Sequence, residues 1–331
     1  MLFKHGLIFG KMMPVHAGHV YLIEQARKQC DKLTIFICTL EREPIPVHLR
    51  QYWLNQIFPD VEVIHCRENL PQYPYESPNF WETWVEIVRK YVSSDVECLF
   101  TSEDYGIEFA RRLGIMHIMI DKQRETVPIS GTLVRAEPYK YWDYIPAAVR
   151  PYFTKKVVLV GPESTGKTKT SEILAKHYNT LWVREYGREY TDRVKNLNIS
   201  DFSNIAVGQL DLEQITALKA AQQSKLLICD TDLIVTQIWG EIFLNCCPQW
   251  IVEANANNNK KYDLYLLMNT DIPWVNDGTR EFNHIREWHF HRLERELIER
   301  QINYVVISGK TFEERTRQAI VAVDELMKNV I

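Results

Sequence analysis

Glycine is scarce in this chain, with 13 in 331 residues, and proline is hardly commoner, with 14. Collagen and glycine- or proline-rich low-complexity polymers are thereby excluded. Neither charge is in large excess: 39 Lys and Arg stand against 43 Asp and Glu, a net charge of −4. A protein that coats nucleic acid normally presents a basic face, so only a local basic groove is left for such a role. No apolar run approaches the ~18 residues of a membrane span. The opening MLFKHGLIFGKMMP has no signal-peptide core, because Lys4, His5 and Gly6 interrupt it. The seven cysteines contain no C-x-x-C pair. Most lie in apolar runs such as LTIFICT and KLLICD, where Cys behaves as a small hydrophobe. That pattern argues against a disulfide framework and for a reducing compartment. The expectation is a cytoplasmic protein with no membrane partner, in which the adjacent Cys246 and Cys247 are two buried thiols.

What is present is ordinary globular material, 46% apolar and 25% charged. At ~150 residues per domain the length suggests two domains. Short apolar runs alternate with amphipathic stretches: LIFG, then VYLIEQARKQC, LTIFICT, HLRQYWLNQIF, VEVIHC, PNFWETWVEIVRKYV, CLFTS, EFARRLG and IMHIMI. Strand, helix, strand, helix predicts an α/β fold with a parallel sheet and helices on both faces. The pattern restarts at KKVVLVGPESTGKT, and apolar runs recur at LLICD, YDLYLLM and YVVIS. Between the halves, AEPYKYWDYIPAAVRPYF is too aromatic for a flexible linker. It reads as a packed connector, dividing the chain into domains 1–152 and 153–331. NANNNKK (Asn255–Lys261) is expected to be an exposed loop.

Two loops hold four of the few glycines: Gly10, Gly18, Gly161 and Gly166. The first loop reads GKMMPVHAGH, from Gly10 to His19, between a predicted strand and helix. Such a turn puts the first amides of the helix, and its dipole, at the carboxyl edge of the sheet, which makes an anion site. His16 and His19 flank Gly18, where the backbone can approach a ligand. The two imidazoles can hydrogen-bond and partly neutralise phosphate charge, and Lys11 adds a cation. Downstream, VPISGTLVR follows the strand IMHIMID. Ser130 can cap the next helix, Thr132 lies in its first turn, and Arg135 can reach the same phosphates.

The second loop, GPESTGKT from Gly161 to Thr168, follows the strand KKVVLV and matches G-x-x-x-x-G-K-[ST]. Backbone amides through Glu163, Ser164, Thr165 and Gly166 would cradle phosphates, Lys167 would reach the β and γ oxygens, and Thr168 would ligate Mg²⁺. Asp230 ends LLICD in the place of a Walker B carboxylate, with Asp232 two residues on. Glu185, in WVREYGREY, is expected at a strand end near the acceptor hydroxyl, as general base. Arg280, in DIPWVNDGTR, reads as a lid arginine that stabilises charge on the transferring phosphoryl group. Among Glu185, Asp230 and Asp232, the residues alone leave the base undecided.

GKMMPVHAGH together with ISGTLVR resembles the adenylyltransferases of the nucleotidyltransferase superfamily, and the late motif is similar to that of the nicotinamide mononucleotide adenylyltransferases. The P-loop with REYGREY, DTD and PWVNDGTR resembles the ribosylnicotinamide kinase half of the NadR-type bifunctional proteins. The resemblance spans nearly the whole chain, including the aromatic connector. It implies an N-terminal Rossmann-like nucleotidyltransferase and a C-terminal P-loop kinase, with ATP and Mg²⁺ as cofactors and NAD as product. The implied partners are small molecules (nicotinamide riboside, nicotinamide mononucleotide and ATP), with no nucleic acid; a homo-oligomer is left open. Repressor members of that family carry an N-terminal helix-turn-helix, and the expected first strand at about Leu2 leaves no room for one. Two rivals are a fused phosphopantetheine adenylyltransferase/dephospho-coenzyme A kinase and a non-catalytic nucleotide sensor.

Two further features are weighed and set aside. His289 and His291 lie two apart on a charged helix, so their side chains diverge by about 200°, a poor chelate. Trp81 and Trp84 suit core packing better than stacking on a nicotinamide ring.

Overall fold

The computed structural model describes residues 2–38, 40, 42–257, 261–274, 282–328 and 330. The chain divides into two compact units, Met1–Val149 and Arg150–Ile331.

In the first unit β1 (Phe3–Gly10), α1 (Ala17–Arg27), β2 (Cys30–Cys38), α2 (Val47–Ile57), β3 (Glu62–Cys66), α3 (Phe80–Tyr91), β4 (Cys98–Thr101), α4 (Tyr105–Leu113), β5 (Met116–Met119) and α5 (Gly131–Ala136) follow in order. The sheet runs β3-β2-β1-β4-β5, every neighbouring pair parallel. The central strands are apolar on successive residues because both faces are covered. Leu7, Phe36 and Leu99 of the sheet pack with Trp84, Val88 and Phe109 of α3 and α4. The chain winds outward from β1 on one side and then returns to the other. A crevice therefore opens at the carboxyl ends of β1 and β4, where doubly wound sheets bind ligands.

The second unit begins with α6 (Arg150–Phe153), β6 (Lys155–Val160), α7 (Lys167–His177), β7 (Trp182–Val183), α8 (Tyr186–Thr191), α9 (Ile199–Ala220) and β8 (Leu226–Asp230). It continues with α10 (Leu233–Leu244), α11 (Gln249–Ala256), β9 (Leu264–Met268), α12 (Arg286–Glu299), β10 (Tyr304–Ile307) and α13 (Phe312–Met327). Its sheet runs β10-β9-β6-β8-β7, again all parallel, with β6 in the centre.

The structure corrects three local expectations. Asn255 is no loop residue: it lies in α11, buried, and its amide donates to the Leu233 carbonyl and the Gln237 side chain. Lys261, at the far end of the same tract, pairs with buried Glu213 at 2.8 Å. The polar composition of the tract hid a helix end and an ion-pair partner; residues 258–260 lie outside the described residues. Cys246 is exposed and Cys247 half-buried, because they follow the left-handed Asn245 cap at the end of α10. Among the described residues no helix is long and apolar enough to cross a membrane.

Candidate active sites

The first cavity, of about 670 Å³, sits in the crevice of the first unit. Its floor is the turn after β1. His16 is the N-cap of α1, and its Nδ1 accepts the Gly18 amide at 3.1 Å. A side chain at Gly18 would press on that ring, with a Cβ 3.0 Å from His16 Cε1. The His16 and His19 rings stack with centroids 3.8 Å apart. Ser130 caps α5 by accepting the Leu133 amide at 3.3 Å, and Thr132 Oγ1 accepts from Arg135 at 3.2 Å. The other Arg135 nitrogen donates to the Met13 carbonyl. A Cβ on Gly131 would lie 2.6 Å from that same carbonyl oxygen, so only glycine permits the two turns to meet. These contacts join the turns after β1 and β5 along one wall of the cavity.

Lys11 is held from two directions. Its ammonium pairs with Glu43 at 2.9 Å, and its carbonyl accepts from Arg50 at 2.9 Å. Arg50 is buried and also pairs with Glu43 at 2.8 Å. Arg124 lies on the cavity wall beside the two imidazoles. Burial, then the neighbouring His19, Arg124 and Arg135, pushes His16 far below the usual histidine range. Burial and then Arg124 lower His19 to about 4. Both rings are therefore neutral hydrogen-bonding groups near pH 7. The positive charge comes from Lys11, Arg124 and Arg135.

The second site begins at β6. Gly161 (φ 148°) and Gly166 (φ 83°) carry the chain round the loop, and a Cβ on Gly161 would meet the Met268 carbonyl at 2.7 Å. Lys167 starts α7 and folds back over the loop, donating to the Gly161 and Pro162 carbonyls at 2.8 and 2.9 Å. Burial lowers its pKa, against the attraction of Glu185 and Asp230. Thr168 donates to Asp230 Oδ2 at 2.5 Å. The other Asp230 oxygen is buried with no partner among the described residues. Burial, then the charge of Glu185, raises Asp230 to about 6. A free carboxylate oxygen beside a hydroxyl, next to a phosphate cradle, fits the few protein ligands that Mg²⁺ takes. Among the described residues no group of three or more His, Cys, Asp or Glu forms a denser metal site.

Beside the P-loop lies a cavity of about 450 Å³. Trp239, Phe243 and Phe282 form an aromatic wall, and Glu185, Arg188 and Asp192 face it with charge. Glu185 precedes α8 and pairs with Arg188 Nε at 2.6 Å. Gln209 of α9 fixes this corner by accepting the Tyr186 amide at 2.8 Å and donating to the Arg184 carbonyl at 3.2 Å. Both oxygens of Asp232 are engaged within the fold: it caps α10 through the Val235 amide at 3.1 Å and accepts the Tyr265 hydroxyl at 2.7 Å.

Over 97% of its length the chain is 30% identical to the trifunctional NAD biosynthesis/regulator protein NadR of Escherichia coli (strain K12), and covers 83% of that protein. The chain belongs to the NadR family. The NadR of Salmonella typhimurium (strain LT2) is 29% identical over the same shares. Two solved NadR proteins, one in complex with NR and one with NAD and AMP-PNP, are similar in fold at TM-scores of 0.74 and 0.73. Both are 23% identical, with 98% of this chain and 96% of theirs covered. Residues 7–70 match the citrate lyase ligase C-terminal domain, and residues 156–315 match the AAA domain.

Against this family background, the structure gathers Gly10, Lys11, His16, Gly18, His19, Ser130, Thr132 and Arg135 around one cavity. Ser164, Thr165, Gly166, Lys167 and Thr168 line the hollow of the P-loop. Two side chains in that loop do other work. Glu163 accepts the Phe282 amide at 3.3 Å, and Thr165 Oγ1 donates to the Pro162 carbonyl at 2.8 Å. Arg280 lies outside the described residues. Arg124, Arg50 and Gln209 belong to no motif and are brought in by the fold alone. Arg188, which lines both the P-loop hollow and the cavity beside it, had a signal: it is the second arginine of REYGREY. Trp81 and Trp84 line the first cavity, and Trp84 is also core, its indole donating to the Pro71 carbonyl at 2.9 Å. His289 is buried against Trp239 while His291 is exposed, so the two diverge.

Proposed function

We propose that the chain is a cytoplasmic, bifunctional NAD-forming enzyme. The P-loop unit phosphorylates nicotinamide riboside at its 5′-hydroxyl with ATP. The first unit joins the resulting mononucleotide to the adenylyl group of a second ATP and releases pyrophosphate. The observation that carries this is the pair of separately built phosphate sites in a chain that aligns with NadR over nearly its whole length. The relatives solved with NR and with NAD and AMP-PNP support the same substrates.

In the kinase unit, Lys167 leaves the two loop carbonyls for the β and γ oxygens of ATP. Glu185 accepts the 5′-hydroxyl proton, and Arg188, released from Glu185 as that proton arrives, faces the transferring phosphoryl group. Thr168 and Asp230 would hold Mg²⁺, which when bound neutralises charge on the phosphate oxygens. In the first unit the attacking phosphate is already anionic at pH 7, so no general base is needed. Lys11, Arg124 and Arg135 offset the charge of the triphosphate, and the neutral His16 and His19 donate hydrogen bonds to its oxygens.

An assay of the purified protein with nicotinamide riboside, ATP and Mg²⁺, following mononucleotide and NAD separately, tests this. Both products should appear in that order. Turnover of dephospho-coenzyme A in place of the riboside would support the fused coenzyme A reading instead.

A further inference from the structure

Thr231 is the single residue between β8, which ends at Asp230, and Asp232, the N-cap of α10. It has φ 82°, a left-handed conformation that a β-branched residue rarely adopts. Its amide is used, donating to the Leu159 carbonyl at 3.0 Å. Its side chain is not: the residue is 4% exposed, and Oγ1 is buried with no partner among the described residues. Thr231 nevertheless lines the acceptor cavity, together with Lys167, Glu185, Gln209 and Trp239. Strain and an unsatisfied buried hydroxyl at one residue in a cleft are both costs to folding, and such costs concentrate where a ligand repays them.

We infer that Thr231 is a specificity-determining residue of the kinase site, whose hydroxyl pairs with a ribose hydroxyl of the nucleoside acceptor. The inference rests on the kinase reading and goes beyond it by naming the group that reads the sugar. The 5′-hydroxyl must face Lys167 and Glu185, and the aromatic wall suits the base. The sugar then lies between them, and its 2′- and 3′-hydroxyls are the groups left to meet Thr231. A hydroxyl both donates and accepts, so it matches a sugar hydroxyl without a charged partner. A site built to bond a substrate hydroxyl also rejects the analogue that lacks it, because its own polar group is then left unpaired.

The test compares nicotinamide riboside with its 2′-deoxy and 3′-deoxy analogues, on the wild type and on Thr231→Val and Thr231→Ser. Valine keeps the β-branch and loses the hydroxyl; serine keeps the hydroxyl. The expected result is a loss of about tenfold in kcat/KM for Thr231→Val on the riboside, mostly in KM, with Thr231→Ser near wild type. The same substitution should cost nothing on the deoxy analogue that lacks the partner hydroxyl. An equal loss on all three substrates would show a structural role and overturn the inference, as would an unchanged Thr231→Val. If that variant does not fold, the wild type still decides: it must prefer the riboside to one deoxy analogue by about tenfold, and equal turnover of all three overturns the inference. A wild type that does not phosphorylate the riboside overturns the kinase reading, and this inference with it.

Discussion

His16 and His19 stack in a hollow walled by Arg124 and Arg135, and that crowding sets their protonation. Both folded-state pKa values lie below the ordinary histidine value of about 6.5. Between about pH 4 and 6.5 the unfolded chain therefore binds protons at these two positions that the folded unit does not. Their contribution to stability is complete above pH 6.5; that of His19 is lost as the pH falls through about 4, and that of His16 continues to decline below it. Thermal unfolding of the first unit should show this decline, and His19→Gln should make it shallower; identical slopes would mean that other groups govern it. The carboxylates of the kinase unit separate by metal dependence. Asp230→Asn should weaken apparent Mg²⁺ affinity, and excess metal should restore part of the rate. Glu185→Gln should lower kcat by roughly 10²–10⁴ with no rescue. Titration of kcat against Mg²⁺ for both variants decides, and metal rescue of Glu185→Gln alone would reverse the roles.

At the scale of elements, α9 and α10 organise the kinase site from behind. Gln209 of α9 holds both peptide groups that flank Glu185, so this 22-residue helix aims a residue on a two-residue strand's turn. Tyr186 packs against Gly208, where a Cβ would fall 2.2 Å from the ring. The start of α10 depends on Asp232, which satisfies the Val235 amide and the buried Tyr265 hydroxyl. Asp232→Ala should lower stability by about 1–3 kcal/mol, because it leaves both groups unpaired. Asp232→Asn keeps its oxygen for the Val235 amide and turns its NH2 toward Tyr265, whose hydroxyl can accept in place of donating, so it should hold kcat within about threefold of wild type, once folded. Chemical denaturation of the two variants, with kinase assays on the folded fraction, checks this. A kcat lowered a hundredfold or more in a stable Asp232→Asn would make Asp232 a base.

At the scale of the whole molecule, the described residues that line each proposed phosphate site all belong to one unit. The two activities should therefore be separable. Lys167→Ala should abolish phosphorylation of the riboside and leave conversion of mononucleotide to NAD largely intact. His19→Ala should reduce NAD formation and spare the kinase. Separate assays of both variants, with circular dichroism to confirm folding, test this. Loss of both activities from either substitution in a folded protein would refute independent sites.

Much of this protein is local and therefore legible in the sequence. A parallel strand buried on both faces must be apolar, so β1, β2, β6, β8 and β9 stand out as runs. Phosphate loops need glycine where φ is positive, so the P-loop is visible in a chain otherwise poor in it. What sequence leaves undecided is whatever depends on distant neighbours. Helix α10 is apolar almost all round, with no stripe for periodicity to find. Asn255 is polar yet buried because Gln237 and the Leu233 carbonyl await it across 18 and 22 residues. Asp230 and Asp232 are alike as letters, and only tertiary contacts make one a neighbour of Thr168 and the other a helix cap. The neutrality of His16 and His19 follows from burial among arginines distant in sequence, and burial is a property of the folded unit alone.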